Sequence, residues 1–346
     1  MSIQSTNSIR TAIVIPNFNG LHFLPACMEA LDRQTVTDFV TIVVDNGSVK
    51  DESLSWLASW QAENPERHIL LDNKKNLGFP AAVNRGIRYA LDQNIPYTLL
   101  LNNDTKVAPD FLEKLCETME RKPKAFAISS KMVKMHDPRI MDDAGDEYTI
   151  LGWQFQRGLE QSSALPRWNV PARIFSACAG AAIYRTEAFR HIGLFDEAHF
   201  AYLEDIDISY RANLAGYTLF YEPSAVCHHV GSGTSGSKYN SFKVHLSARN
   251  SIYLLYKNMP FWMLLLNALP LVLGYLVKFL FFLKKGFGRD YLRGLRDGFS
   301  TRHTLKKVNE KEVPFSRYLR IECRFIAATF FYIRQRAEKR RAAAHD

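Results

Sequence analysis

Residues 11–20 read TAIVIPNFNG, an apolar, β-branched run that ends at Pro16 and leads into Asn17 and Asn19. Branched apolar residues favour extended strands, whereas proline and asparagine favour turns. Residues 21–31, which follow, can form a helix. This stretch therefore predicts a strand, a turn and a helix, the repeating unit of an α/β fold.

The same unit recurs along the N-terminal part of the chain. Further short apolar runs lie at residues 39–44, 68–71 and 97–101, and residues 80–91 have the spacing of a helix. Continuous apolar strands that alternate with helices are typical of a parallel sheet covered on both faces. We therefore predict an α/β domain with a mostly parallel sheet flanked by helices.

Polar side chains follow three of the four predicted strands: Asn17 and Asn19, Asp45 and Asn46, and Asn102, Asn103 and Asp104. In open α/β sheets, ligands bind beyond the carboxyl ends of the strands.

No G-x-G-x-x-G fingerprint opens the first predicted helix, which argues against a nicotinamide or flavin enzyme. Residues 231–238 (GSGTSGSK) place Ser237 where a phosphate loop needs lysine. The pattern favours a nucleotide site without either glycine-rich loop.

A metal site is indicated beside this edge. Asp104 directly follows a predicted buried strand, and a carboxylate there can hold a divalent cation on a diphosphate. His228 and His229 end a later predicted strand, and neutral imidazole suits ions such as Mn²⁺. Because adjacent strand residues face opposite sides, we expect one of the two histidines to be a ligand.

The densest acidic cluster is Glu204, Asp205 and Asp207, set in an apolar frame. Residues 206–213 have helix spacing, so the acids lie near a helix N-terminus, where the helix dipole stabilises them. Capping alone explains one or two of them. A carboxylate beside a substrate hydroxyl is also what general-base catalysis needs.

The charge of the chain is concentrated at its C-terminus. The 346 residues carry a formal net charge of +9, but residues 284–346 hold 17 Lys and Arg against 7 Asp and Glu, and the rest is close to neutral. The part with the predicted chemistry is therefore not basic, and we predict no nucleic-acid partner. The composition excludes a disordered, collagen-like or disulfide-stapled chain.

An apolar segment precedes this basic tail. Residues 259–277 hold no charged side chain but are interrupted by Pro260, Pro270 and Gly274. A buried core helix, a monotopic or re-entrant membrane segment and a bilayer span all fit that pattern, and we favour the monotopic reading. Aromatic and aliphatic residues alternate with arginines in the tail, which is typical of helices that bind anionic membranes. We predict a catalytic domain at residues 1–258 and a helical membrane-association region at residues 259–346.

The cysteines and the N-terminus favour a cytosolic protein. Five cysteines are scattered without C-x-x-C spacing, which indicates reduced thiols and no zinc site. Residues 1–10 lack the apolar core of a secretory signal. With the membrane signals, this predicts a peripheral or monotopic protein on the cytoplasmic face of the inner membrane.

Six motifs in this order resemble family-two inverting glycosyltransferases with the GT-A fold, and most of all bacterial rhamnosyltransferase-like members. They are TAIVIPNFNG (11–20), VVDNGS (43–48), NLGFPAAVNRG (76–86), LLLNNDT (99–105), GLFDEAHFAYLEDIDISYR (193–211) and HHVGSG (228–233). The resemblance covers about residues 10–260. It implies a GT-A, Rossmann-like sheet followed here by apolar and basic amphipathic helices.

The resemblance also implies a role for individual residues. Asp205 matches the general base with Glu204 beside it, Asp104 and His228 match the metal ligands, and Asn102 stands where the metal motif has its first acid. Arg249 could meet phosphates of the acceptor. The expected nucleotide-sugar pocket comprises Pro16, Asn17, Asn19, Asp45, Gly78, Asn84, Asn102 and Asn103.

The implied reaction is one inverting displacement with Mg²⁺ or Mn²⁺ as cofactor. The expected donor is a dTDP- or UDP-linked sugar, with rhamnose favoured, and the acceptor is a lipid-linked or free saccharide. A catalytically silent nucleotide-sugar-binding scaffold and a transferase using a UDP-hexose are the alternatives. A nucleotidyltransferase should carry a basic loop where residues 16–20 have no Lys or Arg. A processive synthase would need several spanning helices and a Gln-x-x-Arg-Trp motif, which the sequence lacks.

Overall fold

The computed structural model describes residues 9–231 and 239–342. Residues 232–238, which include the end of the HHVGSG motif and most of the GSGTSGSK loop, lie outside the described residues.

The strands are β1 (Thr11–Asn17), β2 (Phe39–Asp45), β3 (His68–Asp72), β4 (Tyr97–Leu101), β5 (Thr105–Val107), β6 (Ala125–Lys134), β7 (Asp137–Asp143), β8 (Asp146–Tyr148), β9 (Gln154–Gln156), β10 (Ala172–Ile174), β11 (Ala181–Arg185) and β12 (Thr218–His229). The α-helices are α1 (Leu24–Asp32), α2 (Ser53–Glu63), α3 (Phe79–Asp92), α4 (Phe111–Arg121), α5 (Ala188–Ile192), α6 (Glu204–Ala215), α7 (Ser241–Asn258), α8 (Phe261–Leu266), α9 (Ala268–Lys284), α10 (Gly288–Thr301) and α11 (Phe315–Ala342).

Ten strands form one sheet in the order β10-β12-β6-β11-β4-β1-β2-β3, with β5 paired to β12 and β7 to β6. The half built from β4, β1, β2 and β3 is parallel, and β6 is parallel to β12. β11 lies antiparallel between β4 and β6. The predicted α/β fold with a largely parallel sheet is confirmed, and the four predicted strands end within two residues of the observed ends.

β1 lies inside the sheet, and its side chains build both faces of the core. Ala12 and Val14 pack into one apolar cluster, whereas Ile13 and Ile15 pack into the opposite one. Helix α3 approaches β1 so closely that a Cβ on Gly86 would lie 2.3 Å from a methyl carbon of Val14. This packing fixes the carboxyl end of β1, where the predicted nucleotide residues begin.

The C-terminal helices pack against the α/β body through a third apolar cluster. Tyr210 of α6, Leu254 of α7, Met263 of α8 and Phe325 of α11 are buried in it together. Ion pairs join α11 to the body, with Arg324 on Glu147 at 2.5 Å and Arg167 on Glu338 at 2.5 Å. The predicted division after residue 258 therefore stays a prediction, since helices on both sides of it share one cluster.

The outer surface of α8 and α9 is apolar. The exposed side chains are Phe261, Leu265, Leu266, Leu269, Val272, Leu273, Leu276, Val277, Leu280, Phe281 and Leu283. Among the described residues, no helix combines the length and apolar character needed to cross a bilayer.

Candidate active site

A hydrogen-bonded network of buried polar side chains joins the carboxyl ends of three neighbouring strands. Asn17 donates to the Asp45 carboxylate at 2.9 Å, and Asn103 donates to the Asn17 side-chain oxygen at 2.7 Å. Ser48 donates to the same carboxylate at 2.6 Å. The sequence predicted that these strand ends would meet, and the structure brings Asn17, Asp45 and Asn103 together.

Two turns extend this edge. The Asn19 side chain accepts hydrogen bonds from the backbone N–H groups of Val49 and Lys50, at 3.0 and 2.9 Å. Asn46 donates to the carbonyl of Gly78 at 3.2 Å. Pro16 lies in β1 opposite Val44. Asn19 therefore ties the turn after β1 to the turn after β2, and Asn46 ties the latter to the segment before α3.

Gly78 and Asn84, both predicted to approach the nucleotide, contact the chain around residue 200 instead. Gly78 has φ +87°, and a Cβ there would lie 2.4 Å from the Phe200 carbonyl oxygen. Asn84 is buried, donates to the Phe195 carbonyl at 2.8 Å and accepts from the Phe195 N–H at 3.0 Å. Both residues brace the segment before α6, and their predicted contact with the nucleotide stays a prediction.

Asp104 meets a histidine at the end of β12. The Nε2 atom of His229 lies 3.3 Å from the Asp104 carboxylate, and its Nδ1 atom lies 2.7 Å from Asp142. Burial alone would lower the pKa of His229, but the hydrogen bonds that its ring donates to the two carboxylates, and their charges, raise it to about 10. Asp142 escaped the sequence analysis because it lies in β7, on a hairpin with no motif of its own.

The structure brings His229 next to Asp104, one residue beyond the predicted His228, and metal binding by either histidine stays a prediction. His228 pairs across the sheet with Lys106, whereas His229 pairs with Thr105, next to Asp104. Burial, followed by the Lys106 charge, lowers the pKa of His228. Alternation along β12 turns the two imidazoles to opposite sides, and it is His229 that faces the acids.

A second group of possible ligand atoms lies deeper in the body. Carboxylate oxygens of Asp143 and Asp146 and the Cys178 thiol lie within 4.8 Å of one another. Burial raises the pKa of Asp143 to about 7 and raises those of Asp146 and Cys178 well above their ordinary values. Protonated carboxyls and a thiol bind hard cations poorly, so at this group, as at His229, a metal ion would have to displace a proton. The side chain of Asn102 approaches the same region, because its amide nitrogen would lie 3.1 Å from a Cβ on Gly180.

The two candidate catalytic acids begin α6 after a strained turn. Phe200, Tyr202 and Leu203 have φ values of 60°, 72° and 67°, which bulky residues rarely adopt. Glu204 and Asp205 follow directly as the first residues of the helix. Such strain persists where the surrounding structure imposes it, and it is concentrated at functional sites.

Helix α7 imposes this turn through two adjacent side chains. The Asn250 amide nitrogen lies 3.0, 2.8 and 2.7 Å from the carbonyl oxygens of His199, Ala201 and Tyr202. Arg249 donates to the carbonyls of Ala198 and His199 at 2.9 and 2.8 Å. Arg249 thus holds the turn, and the acceptor contact predicted for it stays a prediction. Asn250 was missed because an asparagine inside a helix carries no sequence signal for a distant turn.

Burial shifts both acids towards the protonated form. It raises the pKa of Asp205 to about 6, although backbone hydrogen bonds oppose the shift. Burial and then the Asp205 charge raise the pKa of Glu204 as well. One Glu204 carboxylate oxygen has no hydrogen-bond partner among the described residues. A carboxylate with a pKa moved towards neutrality is suited to proton transfer.

Asp207, the third acid of the cluster, has a structural role. It is fully buried, with Arg211 and Lys257 each 2.9 Å from its carboxylate. Although burial opposes it, the attraction of Arg211 and Lys257 holds the pKa of Asp207 well below its ordinary value. This ion-pair group fixes the base of α6 against α7.

A cavity of about 650 Å³ has Glu204 and Asp205 in its wall. It also touches the β9 region, α7, α9 and α11, including Trp153, Ser247 and Tyr332. The two candidate catalytic acids therefore face a space large enough for a sugar-sized group.

The sequence matches the model of "Glycosyl transferase family 2" over residues 12–193. It is 28% identical over 203 residues to the N-acetylglucosaminyl-diphospho-decaprenol L-rhamnosyltransferase of Mycobacterium tuberculosis, covering 51% of this chain and 63% of the relative. It is 24% identical to the poly-beta-1,6-N-acetyl-D-glucosamine synthase of Staphylococcus aureus, covering 62% of this chain and 51% of the relative. A Sinorhizobium fredii protein, y4gI, is 27% identical over 65% of this chain, which spans 25% of that relative.

Two solved structures share the fold. GalNAc-T7 with UDP, GalNAc and Mn²⁺ has a TM-score of 0.57 at 15% identity, over 72% of this chain and 48% of that one. Mannosyltransferase PcManGT from Pyrobaculum calidifontis, with GDP-Man and Mn²⁺, has a TM-score of 0.51 at 15% identity, over 86% and 88%. These likenesses confirm the predicted GT-A type of sheet.

Proposed function

The chain belongs to glycosyl transferase family 2, and on this premise we propose that it moves a sugar from a nucleotide diphosphate to a hydroxyl of a lipid-linked saccharide, inverting the anomeric carbon. The observation that carries the proposal is Asp205, a half-buried carboxylate directly after a strained turn, in the wall of the cavity. An acid placed in this way can take a proton from an acceptor inside the cavity.

The proposed step is a single displacement. The acceptor oxygen attacks the anomeric carbon from the face opposite the diphosphate, and the bond from that carbon to the diphosphate oxygen breaks. Asp205 takes the hydroxyl proton as the new glycosidic bond forms, and the nucleoside diphosphate leaves with the electron pair. The sugar ring passes through an oxocarbenium-like state. Burial raises the pKa of both acids, and the charge of Asp205 adds to the rise at Glu204.

The residues at the strand ends fit a divalent cation. Asp104 and Asp142 bring carboxylates to the two nitrogens of one imidazole, His229. Carboxylates suit Mg²⁺ and Mn²⁺, and an imidazole in the set favours Mn²⁺. Such a cation would act as a Lewis acid on the leaving diphosphate.

A lipid-linked acceptor is supported by two observations. The M. tuberculosis relative is named for a lipid-linked N-acetylglucosaminyl diphosphate, and the exposed face of α8 and α9 is apolar. Contiguous apolar patches of this kind mark membrane or protein contacts. We propose that this face rests on the cytoplasmic side of the inner membrane, in cell-surface polysaccharide synthesis.

A donor panel tests the proposal. Purified full-length protein is mixed with dTDP-rhamnose or UDP-hexoses, each with Mn²⁺, with Mg²⁺ or with a chelator, and both the melting temperature and donor hydrolysis are measured. We expect one donor to raise the melting temperature and to be hydrolysed slowly in the presence of metal. A thermal shift without hydrolysis or transfer to any acceptor would favour the silent scaffold. If no nucleotide sugar shifts the melting temperature, the proposed function is wrong.

A further inference from the structure

The cavity beside the catalytic acids is continuous with the apolar surface of α9. Glu204 and Asp205 lie in its wall, and so do Val277 and Phe281 of that helix. Val277 and Phe281 are also 51% and 40% exposed on the outer surface. A molecule in this cavity could therefore reach from the catalytic acids to the exposed apolar face without crossing protein.

Helix α9 has the reverse of an ordinary surface pattern. Its outer side is apolar, and Lys278 is the single charged residue in the sequence between Ala268 and Leu283. Lys278 shares the inner side with Gly274 and Phe282, at the four-residue spacing that places side chains on one helix face. A surface helix of a water-soluble protein directs its charges outwards, whereas α9 directs Lys278 into the cavity.

A close helix contact fixes this orientation. A Cβ on Gly274 would lie 2.1 Å from the carbonyl oxygen of Leu151, and Trp153 donates to the Gly274 carbonyl at 3.1 Å. The inner side of α9 is thus held against the segment that lines the cavity beside β9. Lys278, one turn further along, faces the same space.

Lys278 has no carboxylate partner within the described part of the chain. No described acid lies within 4 Å of its ammonium group, although the side chain is half-buried. The acids in the cavity wall are Glu160, which pairs with Lys339, and the catalytic Glu204 and Asp205. Burial lowers the pKa of Lys278 to about 8. Placing a cation in such a site is unfavourable unless an anion joins it there.

Other cations lie in the same wall. Lys243 of α7 and Arg336 of α11 join Lys278, and Arg336 also donates to the Tyr332 hydroxyl at 3.0 Å. The wall therefore combines acids, cations and the exposed apolar side chains of α9. These are the groups that would contact a sugar, a phosphate group and a hydrocarbon chain.

We infer that the cavity binds the acceptor as a saccharide joined through a diphosphate to a long-chain lipid, with the sugar hydroxyl at Asp205 and the diphosphate at Lys278. The hydrocarbon chain leaves past Val277 and Phe281 onto the apolar face of α9. This inference rests on the proposed function and adds the site and the chemical class of its acceptor.

Binding of farnesyl diphosphate to the full-length protein tests the site without needing turnover. The titration is run with a chelator, because a divalent ion at Asp104 would capture any diphosphate. We expect farnesyl diphosphate to bind, and farnesol and inorganic pyrophosphate each to bind at least about tenfold more weakly, because the site needs both parts. K278M keeps the side-chain volume and should weaken farnesyl diphosphate binding about tenfold or more, whereas K278R should keep most of the affinity. K284A, which removes an exposed lysine of the same helix, is the matched control.

The results separate this site from the proposed function. Equal binding by K278M and the unchanged protein, no binding of farnesyl diphosphate, or pyrophosphate binding as tight as farnesyl diphosphate would each overturn the inference. Hydrolysis of the nucleotide sugar is measured in the same variants, and K284A, which lies outside the cavity, should leave it unchanged. A protein that hydrolyses no donor but binds farnesyl diphosphate through Lys278 would refute the proposed function and keep the lipid-diphosphate site.

Discussion

His229 places its Nε2 atom 3.3 Å from the carboxylate of Asp104, while its neighbour His228 faces the other side of the sheet. The contact joins the end of β12 to the turn after β4, two segments more than a hundred residues apart in the sequence. Because Asp142 holds the other imidazole nitrogen, the ring is fixed in one orientation. Such outer partners orient a metal-binding histidine.

The first prediction compares the two histidines. H229A should weaken Mn²⁺ binding, and Mn²⁺-dependent donor hydrolysis, by about 10- to 100-fold, which is the usual effect of removing a side chain that holds or orients a metal ligand. H228A should change both by less than about threefold, because its ring faces Lys106. Mn²⁺ titration of each variant, followed by hydrolysis, measures the difference. Equal losses in the two variants would contradict the register that we assign.

The second prediction is the pH dependence of turnover. Asp205 must be deprotonated to act as base, and its pKa is raised by burial to about 6. Therefore kcat/KM should fall as the pH drops below about 6. An exposed Asp has a pKa of about 4, so an unshifted base would produce this fall only at a much lower pH. D205N should abolish this fall in activity at low pH and lower kcat by about 10²- to 10⁴-fold. The rise in melting temperature caused by the donor should remain. An acid limb near pH 4, or near-normal turnover in D205N, would exclude Asp205 as the base.

The third prediction concerns the strained turn before α6. N250A removes the amide that lies within 3.0 Å of three carbonyls of residues 199–202. A small displacement of Asp205 should follow and lower kcat by up to about 10²-fold, with little change in the KM for the donor. N267A is the matched control, since Asn267 is equally buried but binds Met263 and Glu322 on other helices. If both variants lost stability and kcat alike, the turn would have no special role.

The fourth prediction is about stability. D207A leaves Arg211 without its carboxylate and Lys257 with Asp196 alone, and it should lower the free energy of unfolding by about 3–5 kcal/mol. E29Q, which breaks an exposed pair with Arg33, should cost less than about 1 kcal/mol. Urea unfolding of both variants measures the contrast.

The same group gives a pH signature. The pKa of Asp207 is depressed in the folded protein, so its stabilisation is complete above the unfolded value of about 4 and is lost as the pH falls below it. The unfolding free energy of the unchanged protein should therefore drop below pH 4 more steeply than that of D207A. If the unfolding free energies of the two proteins fell equally with pH, Asp207 would not contribute to the pH dependence of stability.

Local patterns along the sequence predicted most of the catalytic body. The apolar run of β1 and the polar residues after it predicted the strand, the turn and the binding edge, because these depend on neighbouring residues. The roles of Asn250 and Asp142 were not predicted, because they depend on contacts between segments that are distant in the sequence and meet only in the folded protein. The sequence could not decide between His228 and His229, since strand alternation gives two faces and only the partner strand shows which histidine lies beside Asp104.

The last prediction concerns membrane binding. Deletion of residues 284–346 would be a poor test, because α11 contributes Tyr318, Ile321 and Phe325 to a buried cluster and its loss would disturb the body. Substitutions on the exposed face avoid this problem. Leu273 and Leu280, two turns apart on α9, are 48% and 53% exposed, so the double change L273D/L280D should leave the fold intact.

The double variant should lose most of its binding to anionic vesicles of phosphatidylglycerol and phosphatidylcholine. Each leucine is expected to contribute about 1.5–3 kcal/mol when it enters an apolar phase, and each aspartate adds repulsion from the anionic surface. V49D is the control, because Val49 is 82% exposed on the turn after β2, away from α9 in the chain. Vesicle co-sedimentation at low and high salt measures the result. Unchanged sedimentation of L273D/L280D with loss at high salt would show that the basic helices bind the membrane and that the apolar face of α9 does not.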